Sequence, residues 1–209
     1  MFDSIETALD DFRVGRFVIV MDDETRENEG DLVLAAQYMT SEKMAFMVRH
    51  TSGLVCVPLT AERLSLLNIP MMVTCNTDKM KTAFTVTVDF NETSTGISAH
   101  DRALTVRMLV DPSVTDPQLF NRPGHILPLK AIEGGVLIRQ GHTEAAIDMC
   151  RLSGLHLGAA ICELLKEDGS MARRDDCLVF SKRYDIKIIT IRSLVDYIHR
   201  KNKKRYMDI

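Results

Sequence analysis

A surplus of positive charge is missing from this 209-residue sequence: 26 Lys and Arg stand against 29 Asp and Glu, a formal net charge of -3. No global basic field invites nucleic acid, and with aromatic residues at 6% no aromatic-rich basic face supports single-strand binding. Cysteines are few and unpaired. Cys56, Cys75, Cys150, Cys162 and Cys177 are odd in number and show no paired short spacing, which disfavours a zinc ribbon or disulfide framework. Most of them read as small core thiols of a reducing, cytoplasmic compartment. No apolar run approaches the roughly 20 residues that span a bilayer, and no secretory h-region opens the chain, so no membrane association is expected. Internal repeats, low-complexity tracts and linkers are absent too. Hydrophobic residues at 45% and charged residues at 26% fit one globular domain, expected over residues 1–199 with a basic tail at 200–209. That tail, with Arg200, Lys201, Lys203, Lys204 and Arg205, is most simply a solvated helix end.

What the sequence does have is acidity gathered in one place. Asp22, Asp23, Glu24, Glu27, Glu29 and Asp31 surround a single Arg26, a local charge of -5 against -3 for the whole chain. The run lies between the apolar stretches 16–21 and 32–36, which are short, aliphatic and β-branched and therefore read as buried strands. If residues 27–31 are extended, Glu27, Glu29 and Asp31 share a face while Asn28 and Gly30 share the other. Three convergent carboxylates repel, and a raised pKa, an Arg neighbour or a bound hard cation such as Mg²⁺ relieves the repulsion. The plainer alternative is a solvated acidic turn.

Periodicity gives the remaining elements. Helices are expected after Ser4, from Ser41, after Thr60, over about 101–110, from Thr143 as N-cap, over 173–184 and over 192–199. Strands are expected at 54–59, 126–129 and 186–191, and the strict alternation of 83–90 reads as the clearest of all. Residues 71–82 lack a period and read as a long mobile loop. The hydroxyl-rich segment around Thr95 and Gly96, ahead of a helix, suits a phosphate but also suits an ordinary cap. His125 follows Pro123-Gly124, read as a turn of defined direction. Arg139-Gln140-Gly141-His142-Thr143 outlines a phosphate site, with a planar donor fork, a Gly for close approach and free amides at a helix start. His142 there is a metal ligand or a residue merely flanking a cap. Glu163 is wet if 159–165 is a helix and desolvated, poised as a base, if it is a strand; Asp168-Gly169 as a hairpin turn favours the strand.

Taken together, the segment 22–31, Arg122-Pro123-Gly124-His125, Arg139 to Ala145, Thr95 to Ala99 with Asp101-Arg102, and Cys162-Glu163-Leu164 resemble the 3,4-dihydroxy-2-butanone 4-phosphate synthase family of riboflavin biosynthesis. The resemblance runs from about Ile5 to Tyr197. It implies a three-layer α/β/α fold with a mixed twisted sheet, and a homodimer with active sites near the subunit interface. It implies conversion of D-ribulose 5-phosphate to L-3,4-dihydroxy-2-butanone 4-phosphate and formate, with Mg²⁺ or Mn²⁺, two ions per subunit. By position, Glu27 and His142 would ligate the metal. Arg26, Glu27, Asp31, Thr95, Arg139, Gln140, Gly141, His142, Thr143 and Glu163 would bind the substrate, and His125 and Glu163 would be catalytic. Gln140 stands where a smaller residue is expected, its side chain expected to point outward. From the residues alone, a different metal-dependent phosphosugar lyase or isomerase, and a nucleotide- or RNA-binding module, remain as alternatives.

Overall fold

The computed structural model describes residues 1–207, with side chains through Lys203. Its seven strands are β1 (Val18–Met21), β2 (Gly30–Ala35), β3 (Cys56–Leu59), β4 (Val88–Phe90), β5 (Phe120–Lys130), β6 (Ala159–Glu163) and β7 (Lys187–Thr190). Its helices are α1 (Ile5–Arg13), α2 (Ser41–His50), α3 (Ala61–Leu66), α4 (Ala99–Val110), α5 (His142–Ser153), α6 (Arg174–Tyr184) and α7 (Ile191–Met207). The sheet runs β4-β5-β3-β6-β2-β1-β7; β3 pairs β5 and β1 pairs β7 in parallel, and every other pairing is antiparallel.

Alternation along the central strands sets up the layers. Val18, Val20, Val33 and Ala35 point to one face, against Leu9 and Phe12 of α1, Ala145 and Met149 of α5 and Leu194 of α7. Ile19, Met21, Leu32 and Leu34 point to the other, against Met44 and Met47 of α2, Val106 and Leu109 of α4 and Cys177 of α6. Both faces are covered, so the central strands are apolar throughout. Each such buried Leu, Val or Phe contributes about 1.5–3 kcal/mol of transfer free energy. The expected three-layer mixed-sheet fold is present. Among the described residues, no helix is long and apolar enough to cross a membrane.

Four expectations need correction. The alternating stretch 83–90 yields only the three-residue β4. Phe84 and Thr85 make isolated bridges to different partners, Leu129 and Met71, and the register shifts at Val88–Asp89. His125 is not on a turn but inside β5. Pro123-Gly124 lets β4 cross closely, since a Cβ on Gly124 would lie 2.0 Å from the Val88 carbonyl carbon. Thr143 is not the N-cap of α5; Gly141 is, its carbonyl accepting from the Ala145 amide. The last helix does not end at His199 but continues to Met207, taking in the basic segment, of which residues 208–209 and the side chains after Lys203 lie outside the described residues.

Candidate active site

The site lies where β2 begins, β6 ends and α5 starts. Asp31 and Glu163 are directly paired across β2 and β6, an arrangement of like charges that destabilises a sheet unless something offsets it. The acidic segment enters from β1 as a compact turn rather than as an extended strand. Asp22 braces it: its carboxylate accepts from the Glu27 amide (3.0 Å), the Glu29 amide (2.9 Å) and Arg26 Nη1 (3.0 Å). Asn28 takes a left-handed conformation, φ 55°, which Asn tolerates better than most residues. By that route Glu27, Glu29 and Asp31 converge as expected, with Arg26 donating to Glu27 at 2.6 Å.

Across from them stands His142, buried in the first turn of α5. Its Nε2 donates to the Val20 carbonyl at 3.1 Å, which leaves Nδ1 facing Glu27 Oε2 at 3.5 Å and Asp31 Oδ1 at 3.7 Å. Both gaps exceed a normal hydrogen bond, and Asp31 Oδ1 is buried without any partner. The oriented imidazole nitrogen and the Glu27 carboxylate, with the orphaned Asp31 oxygen beside His142, suit a hard divalent cation. Asp22 also offers an oxygen within 4.8 Å of Glu27 and His142 atoms, but its hydrogen bonds make it the brace of the turn.

The electrostatics follow from that crowding. Burial pushes the Asp31 carboxyl up to about 7, with the charges of Glu163, Glu27 and Glu29 adding and His142 opposing. Burial also disfavours charge on His142, yet Asp31, Glu27 and Asp22 outweigh it and raise the imidazole to about 9. Contact with His142, against burial, and the Arg26 charge lower Glu27, while burial and the Glu27 charge raise Glu29.

These groups line a cavity of about 210 Å³ together with Arg26, Arg139, Thr143 and Glu163. Arg139 is fixed by Glu144 (2.6 Å) and the Met80 carbonyl (3.2 Å), beside an α5 N-terminus that no side chain caps. Glu163 closes strand β6 as the hairpin signal favoured, but it is only half-buried, and Ser52 Oγ donates to its Oε2 at 2.6 Å. Gln140 is exposed and its side chain points out, as expected.

Sequence reasoning missed Cys56, whose buried thiol lines the cavity and is held well above its ordinary pKa by burial and by Glu163. It also missed Asp78, Met80, Thr82 and Phe84. The 71–82 segment that carries most of them is tied down by Asp78, whose carboxylate accepts from the Met80 and Thr82 amides. Lack of periodicity conceals such a wall.

His125 and Thr95 do not line this cavity. They form a second cluster, in which Asp89 accepts from the His125 amide (2.8 Å) and from its ring Nδ1 (2.6 Å), leaving Nε2 as the available ring atom. Gly96, at φ 86°, packs so closely there that a Cβ would meet Asp89 Oδ2 at 2.0 Å. Thr95 beside it is exposed.

A family model described as 3,4-dihydroxy-2-butanone 4-phosphate synthase matches residues 6–197. A Schizosaccharomyces pombe protein of that name is 62% identical over 200 residues, which is 95% of this chain and 98% of the relative. A Candida albicans protein of the same name is 54% identical over 202 residues, 96% of this chain and 98% of the relative. A crystal structure of a 3,4-dihydroxy-2-butanone 4-phosphate synthase in complex with two magnesium ions superposes with a TM-score of 0.92 at 46% identity, covering 96% of this chain and 99% of that one. With the sheet, the acidic turn and the imidazole arranged as described, the chain belongs to the 3,4-dihydroxy-2-butanone 4-phosphate synthase family.

Proposed function

We propose that the chain converts D-ribulose 5-phosphate to L-3,4-dihydroxy-2-butanone 4-phosphate and formate, a precursor step of riboflavin biosynthesis, with Mg²⁺ or Mn²⁺ at Glu27 and His142. The observation that carries this reading is the gap between His142 Nδ1 and the Glu27 and Asp31 oxygens, with one of those oxygens buried and unpartnered. The two magnesium ions in the related crystal structure support two ions per subunit. Held by Glu27 and His142, a divalent cation would supply Lewis acidity, offsetting the converging carboxylates and favouring negative charge on the sugar oxygens.

The chain's own residues supply the rest. Arg139, Thr143 and the first-turn amides of α5, with the backbone of Gln140 and Gly141, hold the phosphate; its binding energy then positions the reacting carbons. Glu163, oriented by Ser52 through one oxygen, keeps the other to accept a proton from substrate. Arg26 and Asp31 flank the sugar, and Glu29 lies within the same cavity.

His125 completes the centre from a second copy of the chain. Its ring is oriented by Asp89 yet does not line the cavity that gathers the carboxylates and His142, and Thr95 beside it is exposed. Ile97, on the Thr95 segment, is 52% exposed, and Met72 and Val73, which follow the bridge to Thr85, are 48% and 54% exposed. Exposed apolar side chains on these two segments suit burial in a homodimer, where each subunit's His125 and Thr95 would reach its partner's cavity.

The test is product analysis by NMR with labelled ribulose 5-phosphate, with and without EDTA. Formate should appear in step with turnover and vanish on chelation. A rearranged phosphosugar without formate would instead assign a metal-dependent isomerase.

A further inference from the structure

The geometry points to Arg173 as a positioning residue for the cation site, a latch that holds the acidic turn in its ligating shape. This rests on the reading of Glu27 as a metal ligand. The Glu27 side chain faces His142, while the carbonyls of Glu27 and Asn28 are held by a residue that does not line the cavity. Arg173 Nη1 donates to both, at 2.6 and 2.8 Å, across the left-handed Asn28 residue that makes the reversal. Its guanidinium also lies 3.6 Å from Glu29. Among the described residues, no other side chain from outside segment 22–29 bonds the backbone of that segment.

Arg173 is well placed to do this without being part of the site. Its own amide donates to Asp176 Oδ2 at 3.0 Å at the start of α6, so the base of the side chain is fixed by a bond that does not depend on the guanidinium. It does not line the cavity. The turn it holds carries Glu27 and Glu29 toward Asp31 and Glu163, so their mutual repulsion favours opening, and a cation must bind the closed arrangement. Apparent cation affinity scales with the fraction of molecules already closed, which Arg173 raises by supplying two hydrogen bonds and a positive charge on the outer side.

The experiment measures Mn²⁺ binding without turnover, by loss of the free-ion EPR signal, in the full chain and in Arg173→Met, Arg173→Lys and Arg174→Met. Arg173→Met should weaken Mn²⁺ about 10-fold or more, as loss of groups that orient metal ligands does. At saturating Mn²⁺ and substrate, kcat should stay within about threefold of the unmodified chain, because the closed state is unchanged once formed. Arg173→Lys should recover part of the affinity. Arg174, which touches only Glu24 of this turn, at 3.3 Å, should bind Mn²⁺ normally when replaced by Met. Unchanged affinity in Arg173→Met, or an equal loss in Arg174→Met, overturns the latch. Failure of the unmodified chain to bind Mn²⁺ overturns the metal reading itself, a separate outcome.

Discussion

The two histidines of the proposed centre, among six in the chain, sit in opposite kinds of place. His142 is buried among carboxylates, its Nε2 tied to a main-chain carbonyl and its charge set by three acidic neighbours. His125 has a side chain 40% exposed and a single acidic partner, Asp89. One lines a concave cavity; the other is an oriented group outside it. The contrast teaches what the proposed two-chain centre rests on: an imidazole fixed at one nitrogen and open at the other, outside the cavity its own chain lines.

Several variants would break or sharpen this contrast. Glu27→Gln removes a ligand from the enclosed side and should lower kcat/KM about 10³-fold or more, with Tm retained, measured by formate release. On the open side, His125→Asn should lower kcat about 10²–10⁴-fold with little change in Mn²⁺ binding, since no cation ligand is touched. Glu27→Gln, by comparison, should weaken Mn²⁺ itself.

Titration separates the two sides further. His142 is raised from 6.5 to about 9 in the fold, so the stability its charged form contributes is complete below pH 6.5 and is lost as pH rises through 9. Asp31 is raised from 3.8 to about 7, so its protonated form contributes below pH 3.8 and that contribution disappears as pH rises through 7. Both signs agree: the cation-free protein should lose thermal stability between pH 6.5 and 9. Cation binding displaces the same protons, so the rise in Tm on adding Mg²⁺ should be larger at pH 9 than at pH 6.5, by at least about 3 °C. Equal shifts at the two values would place the ion elsewhere. The smallest effect belongs to Gln140→Gly, whose exposed side chain should leave stability within ~0.5 kcal/mol by denaturant titration.

Local signals were readable where they coincided with local physics. Ser4 and Thr60 cap their helices because a hydroxyl ahead of an apolar period has an amide three residues on to accept from. The acidic turn was legible as a site because six carboxylates in ten residues have few inert explanations. What stayed hidden depended on partners distant in the chain. Pro123-Gly124 looks like a turn until β4 is laid across it, and the alternation of 83–90 cannot reveal that its residues bridge different partners. Cys56 looks like any core thiol because the cavity it lines is closed by residues such as Glu163, more than a hundred positions away. Arg173 carries no sequence signal for its role: its partners are main-chain carbonyls, which every residue has.

The division of the centre between two copies is best tested by mixing inactive subunits. Glu27→Gln and His125→Asn chains, each inactive alone, should on subunit exchange form mixed dimers holding one intact site each, recovering about a quarter of the unmodified formate-release rate for random pairing in a two-fold dimer. A mixture that remains as inactive as its components would show that His125 serves the cavity of its own chain, and the two-chain centre would be wrong.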